Sequence, residues 1–178
     1  MIFYTSDLHL GHANIIKHCD RPFSDVTEMD RSLIENWNAR VTNSDTVYII
    51  GDMMFKIYVD PVKYLNKLKG KKHLIIGNHD NSWMKEVKLS KYFQSVDRML
   101  VFSNGKCKVT LCHFPMMDFE GDYLIYGHIH NNKKNLVYWP MLKTMDNALN
   151  AGVEVNTISL SHLRNLLRTI RFFVIAKG

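Results

Sequence analysis

The chain has 178 residues, a length that fits one domain, and its 46% hydrophobic and 22% charged residues give an ordinary globular balance with enough apolar material for a core. Three cysteines (Cys19, Cys107 and Cys112) are an odd number without metal-binding or redox spacing, which argues against a disulfide framework and fits reduced thiols in a cytosolic protein. A net charge of +6 favours anionic partners such as phosphate esters or nucleic acid, although surplus surface lysine gives the same sum.

Elements follow in chain order. A strand is expected at once, over Ile2–Thr5, which leaves no room for a signal peptide. Val26, Met29, Leu33, Trp37 and Val41 then recur at helical spacing and share one face, with Ser24 or Asp25 as the cap. Thr46–Ile50 is the next strand. Asp60 can cap a second helix, Pro61 suits its first position, and Gly70 can end it, with Val62, Leu65 and Leu68 facing inward. Further strands are expected at His73–Ile76, Met99–Phe102, Val109–Cys112, Tyr123–Tyr126 and Leu136–Trp139, all rich in Val, Ile, Tyr and Phe. Several are apolar on consecutive residues, as strands buried on both faces are. A last helix is expected from Ser161 to Arg168, with Leu163, Leu166 and Leu167 inward. The apolar stretch Phe172-Phe173-Val174-Ile175-Ala176 is far too short to span a bilayer. The expectation is a soluble, cytoplasmic protein with an α/β or α+β layered domain over residues 1–178; periodicity does not distinguish one sheet from two.

Five polar clusters sit just after the apolar runs: Asp7-Leu8-His9, Gly51-Asp52, Gly77-Asn78-His79-Asp80, His113 in Cys112-His113-Phe114-Pro115, and Gly127-His128-Ile129-His130. They hold five of the nine histidines, so the imidazoles are concentrated where strands end. Oxygen and imidazole donors suit hard or borderline divalent metals. Clusters at the carboxyl ends of buried strands are placed to converge in one crevice. Asp7 and His9 are two apart, as are His128 and His130, so an extended backbone points each pair to one side.

In that order the clusters resemble the calcineurin-like metallophosphoesterase superfamily, and more narrowly the short bacterial and phage branch beginning Ser-Asp-Leu-His-x-Gly-His. The resemblance runs from Ser6 to about His130, and Gly152-Val153-Glu154-Val155-Asn156 fits that branch's ending. It implies a β-sandwich flanked by helices, with metals at the carboxyl ends of the strands. It implies that Asp7, His9, Asp52 and His130 bind one divalent ion and that Asp52, Asn78, His113 and His128 bind a second, Asp52 bridging. Manganese is the first expectation, with iron, nickel, cobalt or zinc as alternatives. It further implies attack of a metal-bridging hydroxide on the phosphorus of a phosphate ester, diesters ahead of monoesters. His79 would orient the phosphate and protonate the leaving alkoxide, a task for which an imidazole is suited, and Asp80 would accept from His79 and orient it.

Other residues are less determined. His12 reaches the substrate phosphate, reaches the metal water, or caps the next helix. Arg21 clamps a phosphate as a bidentate donor or forms a surface ion pair. The apolar loop holding Phe114, Pro115, Met116, Met117 and Phe119 forms a substrate wall or packs on the domain. Lysines 69, 71, 72, 133 and 134 line a path for a polyanion or are solvated charges. His18, His73 and His162 fall outside the pattern. Two rival functions stand beside the phosphoesterase: a nuclease or nucleic-acid-end phosphatase, which needs a basic track, and a non-catalytic protein-binding scaffold, against which stand His79 and all seven ligand positions. The sequence leaves the oligomeric state open and gives no sign of membrane association.

Overall fold

Two sheets lie face to face because their strands carry apolar side chains on consecutive positions and must be covered twice. The computed structural model describes residues 1–55, 60–103, 105, 107–131, 139–155 and 170–172. The first sheet contains β1 (Ile2–Thr5), β2 (Thr46–Ile50), β3 (Lys71–Ile75), β4 (Phe93–Asp97) and β9 (Ile170–Phe172), in the order β4-β3-β2-β1-β9, all parallel. The second contains β5 (Met99–Ser103), β6 (Lys108–Cys112), β7 (Tyr123–Tyr126) and β8 (Ala148–Asn150), with only the β5–β6 pair antiparallel.

Alternation along each strand sorts residues into separate cores. Phe3, Val47, Ile49 and Leu74 face the helices α1 (Ala13–His18), α2 (Val26–Arg40) and α3 (Pro61–Leu65), where they pack with Ile15, Met29, Trp37 and Leu65. Their neighbours Tyr4, Ile50 and Ile75 turn the other way and meet Val109, Leu111, Ile125 and Leu149 of the second sheet. Tyr4 and Tyr48 are paired across β1 and β2 and stack at 5.4 Å, and Phe102 stacks on Tyr48 from the opposite sheet at 5.2 Å. On the outer face of the second sheet, Leu124 and Tyr126 pack against Leu142 of α4 (Trp139–Leu142). The layers are therefore helix, sheet, sheet, helix.

The helix expected from the Val26–Val41 spacing is α2. Asp25 caps it by accepting from the Glu28 amide at 2.8 Å, while Glu28 accepts from the Ser24 amide in return. Asp60 caps α3 through the Val62 amide at 2.9 Å, but the helix ends at Leu65 rather than running toward Gly70. Its buried residues are Pro61, Tyr64 and Leu65, with Val62 only half-buried, and Leu68 just beyond the helix is buried as expected. The tyrosine hydroxyl donates to Asp30 of α2, an inward contact that apolar spacing does not reveal.

β4, β8, β9 and α1 were not expected. The strand expected at Leu136–Trp139 is corrected at its last residue, since Trp139 opens α4; Leu136 to Tyr138 lie outside the described residues, as does the helix expected from Ser161 to Arg168. Among the described residues, no helix is long and apolar enough to cross a membrane.

Asp25→Ala removes the α2 cap without touching a core residue. It is expected to cost about 1 kcal/mol. The urea midpoint should fall while metal uptake stays as in the parent; an unchanged midpoint would show that the cap adds nothing.

Candidate metal centre

Each of the five clusters follows the carboxyl end of a strand: β1 delivers Asp7 and His9, β2 Asp52, β3 Asn78 and His79, β6 His113, and β7 His128 and His130. Backbone bonds knit these loops together within each sheet. The Asp7 amide donates to Gly51 O at 3.0 Å, the His9 amide to Asp52 O at 2.9 Å, and the Gly127 amide to His113 O at 3.0 Å. The His128 amide is shared between both carboxylate oxygens of Asp7, at 3.1 and 3.0 Å.

The seven side chains named from the sequence meet there. Donor atoms of Asp7, His9 and His130 lie within 4.8 Å of one another, as do those of Asp52, His113 and His128. Asn78 joins the second set, its Oδ1 being 3.1 Å from His113 Nε2. The two sets adjoin at Asp52, whose Oδ2 lies 3.6 Å from His9 Nε2 and 3.4 Å from His113 Nε2.

The donor chemistry fits divalent cations. His9 Nε2 is buried and, among the described residues, has no hydrogen-bond partner. Three of these histidines have a ring nitrogen engaged: Nδ1 of His9 lies 3.3 Å from His12 Nδ1, Nδ1 of His113 lies 2.9 Å from Ile50 O, and Nδ1 of His130 lies 3.2 Å from Glu154 Oε1. The carbonyl and carboxylate partners accept Nδ1–H, so that in the neutral ring Nε2 keeps a lone pair, the arrangement of a metal-binding imidazole. Lone pairs of His113 Nε2, Asp52 Oδ2 and Asn78 Oδ1 facing one another at 3.1–3.4 Å would repel unless a cation or proton sat among them.

The backbone is strained where it presents these groups. Asp7, His9, Asp52, His128 and His130 all have φ between 50 and 70°, a region that side-chain-bearing residues rarely enter. Three glycines make the space, Gly51 among them, where a Cβ would lie 2.2 Å from His113 Nδ1. A Cβ on Gly77 would lie 2.2 Å from Asp52 Oδ1, and one on Gly127 would lie 1.8 Å from Ser6 Oγ and 2.8 Å from Asp7 Oδ2.

Burial sets the electrostatics. It pushes the Asp7 carboxyl up to about 6 and the His9 imidazole down to about 2. Burial also opposes the charge on Asp52, but the His113 hydrogen bond and charge, the His79 amide and His9 outweigh it and hold the carboxyl down at about 2. Burial likewise opposes charge on His130, yet its contacts to Cys19 and Glu154 and the charge of Asp7 raise it to about 11.

Three expectations change. Asp80 is not the partner of the His79 ring. Its oxygens accept from the amides of Asp52 and Met53 at 2.9 Å each, from the Gly77 amide at 2.8 Å and from Trp83 Nε1 at 2.8 Å, so it clamps the β2 and β3 loops together. Arg21 is neither an exposed phosphate clamp nor a surface ion pair. It is buried, donating to Asp7 O at 2.7 Å, Leu8 O at 2.9 Å and the Glu154 carboxylate. His12 precedes α1 but makes no side-chain cap bond; its ring stacks on Phe55 at 3.7 Å and touches His9. Burial and nearby His79 hold His12 down at about 4. The loop after His113 divides: Met116 and Phe119 pack on the outer core, while Phe114 and Met117 are 45% and 62% exposed. Lys133 and Lys134 lie outside the described residues.

Glu154 was overlooked as a site residue. Its only sequence signal is its place in Gly152-Val153-Glu154-Val155-Asn156, because its partners Arg21 and His130 are far away along the chain.

Fold and donors together define a two-sheet α/β protein built around a candidate divalent-metal centre. The chain belongs to the family of Uncharacterized protein MJ1445 from Methanocaldococcus jannaschii, with which it is 37% identical over 160 residues, 86% of this chain and 82% of that one. It is 30% identical over 159 residues to the Gene 66 protein of Mycobacterium phage D29, 73% of this chain and 78% of the phage protein. Among solved structures it is similar to AQ665 of Aquifex aeolicus, a protein of unknown function, at 25% identity and a TM-score of 0.67 over 86% of this chain and 90% of the other. No family model matches the chain.

Metal uptake should depend on pH in a direction these groups set. A cation needs Asp7 ionised and His130 without its second proton. In the metal-free protein Asp7 loses its proton near pH 6 and His130 near pH 11, so binding at pH 7 should release protons and affinity should rise from pH 5 to 8. Calorimetry of Mn²⁺ binding in buffers of different ionisation enthalpy measures both; pH-independent binding without proton release would contradict it.

Proposed function

We propose that the protein is a dinuclear-metal-dependent phosphoesterase of the calcineurin-like kind, hydrolysing phosphate esters, with phosphodiesters ahead of monoesters. The observation that carries this reading is the place of Asp52. One carboxylate oxygen lies between His9 Nε2 of one donor set and His113 Nε2 of the other, at 3.6 and 3.4 Å, where a shared ligand belongs. Bound there, two divalent cations, manganese first among iron, cobalt, nickel and zinc, would acidify water and offset the charge of a phosphate.

The chain's own residues supply the rest. Asp7 and Asp52 bring two negative charges, and Asn78 contributes a neutral amide oxygen, so the loaded site keeps a positive surplus that attracts an anionic ester. Asp7, His9, Asp52 and His113 are buried, whereas Asn78 and His128 are exposed and the His79 side chain is 40% exposed. Substrate thus approaches from the Asn78, His79 and His128 side. His79 Nε2 stands 3.9 Å from Asp52 Oδ2, outside both donor sets and open to solvent. A protonated imidazole there is placed to hold a phosphate oxygen and give its proton to the leaving alkoxide. An open face tolerates two substituents on phosphorus, which favours diesters. Retention of His79 together with all seven donors supports an enzyme over a binding scaffold.

Asp52→Asn is expected to weaken uptake at both donor sets and bring turnover of a phosphodiester close to background. Metal content and hydrolysis measured on the same sample test this; two retained ions with parental rates would remove Asp52 from the bridging role.

His79→Ala separates proton transfer from metal binding. Metal content should stay near that of the parent, while hydrolysis of esters with poor leaving groups, such as alkyl alcohols or ribose hydroxyls, should fall by about 10²–10⁴-fold. Nitrophenyl esters, whose phenolate leaves unprotonated, should lose less. The deciding quantity is the ratio of the two losses. Equal losses would leave His79 as a phosphate-positioning residue and no general acid.

A further inference from the structure

His130 faces two ways. Its ring belongs to the donor set of Asp7 and His9, while its Nδ1 lies 3.2 Å from Glu154 Oε1. The Glu154 side chain is only 4% exposed. The same Oε1 accepts from Arg21 Nε at 2.9 Å and from Arg21 Nη2. Arg21 in turn donates to the carbonyls of Asp7 at 2.7 Å and Leu8 at 2.9 Å. One buried ion pair thereby touches two members of one donor set, His130 through its ring and Asp7 through its backbone, and holds the Leu8 carbonyl just before His9.

A buried ion pair is poor evidence of stabilisation, because apolar residues of similar volume often serve as well or better. Its position under the donors asks for another explanation. The second donor set offers the contrast. His113 Nδ1 is held at 2.9 Å by a neutral acceptor, the Ile50 carbonyl. His130 is held by a carboxylate, at a longer 3.2 Å, whose negative charge renders the opposite nitrogen more basic.

We propose that Glu154, oriented by Arg21, is the positioning residue of His130: it accepts Nδ1–H, keeps the Nε2 lone pair aimed toward Asp7 and His9, and sets the affinity of that donor set for a divalent cation. This rests on the metal-centre reading above and adds an asymmetry to it. The Asp7, His9 and His130 position depends on Glu154; the Asp52, Asn78, His113 and His128 position does not.

The test is titration of the metal-free full chain with Mn²⁺, parent against Glu154→Gln, with far-UV circular dichroism and melting to confirm folding. The parent should bind two ions. The variant should lose about 10–100-fold in affinity at one position and keep the other unchanged. A folded variant with both affinities at parental values overturns this inference alone, whereas a parent that binds no Mn²⁺ overturns the metal-centre reading and this inference with it. If Glu154→Gln does not fold, the imidazole ¹⁵N spectrum of the zinc-loaded parent decides instead. His130 should carry its proton on Nδ1 and ligate through Nε2; the reverse tautomer overturns the proposal.

Discussion

The carboxylate of Asp52 lies at the seam between the two sheets, and the architecture around it is a means of keeping that charge buried. A buried ionised carboxylate without partners costs several kcal/mol or more. Here Oδ1 accepts from the His79 amide at 2.9 Å, and Oδ2 faces imidazoles of His9, His113 and His79. One amide is a thin offset for a full buried charge. Burial holds His9 well below the ordinary imidazole range, so it cannot supply a proton near neutral pH. The remaining compensation has to come from His113, whose pKa is raised by its Asp52 and Asp7 neighbours against the pull of burial, or from a cation among the rings. Both answers require the same geometry of rings around the carboxylate.

Holding them costs backbone strain. Residues in the left-handed region cost of order 1–3 kcal/mol each, and they persist only where their surroundings over-determine them. Five of the site's residues are in that region, and bonds from one loop to another supplement those within each loop. Asp80 is the clearest tie. Its four accepted bonds join the turn after β2 to the turn after β3, so the residue that looks like part of the chemistry is the fastening beneath it. Arg21 and Glu154 do the same between the β1 loop and the β7 loop.

How much of this was legible follows from range along the chain. β1, β2 and β7 begin and end where their apolar runs do, because consecutive Val, Ile, Tyr and Phe fit only strands covered on both faces. β4 is a half-buried edge strand, Phe93-Gln94-Ser95-Val96-Asp97, in which polar residues break the apolar run that marks an inner strand. β8 is three residues long, too short for any period. The donors were visible because each follows a strand and carries its chemistry in its own side chain. The roles of Asp80, Arg21 and Glu154 were not, because a carboxylate or guanidinium does not announce its partner. Arg21 and Glu154 are 133 residues apart, and only the closed fold shows that they meet.

Depth gives the site its direction. The donors at the bottom, Asp7, His9, Asp52 and His113, are sealed, and the exposed groups Asn78 and His128 stand at the mouth beside His79. Aromatic rings flank that mouth on two sides. Phe55 stacks on His12 and lies 5.1 Å from the His79 ring, while Phe114 meets the His128 ring at 4.7 Å, edge to face. These contacts fix the rings of the exposed histidines without using their nitrogens, since an aromatic neighbour restricts a ring by packing alone. The same loop that buries Met116 and Phe119 as an anchor sets Phe114 against His128, so the packing of the outer core reaches the site through one short connection.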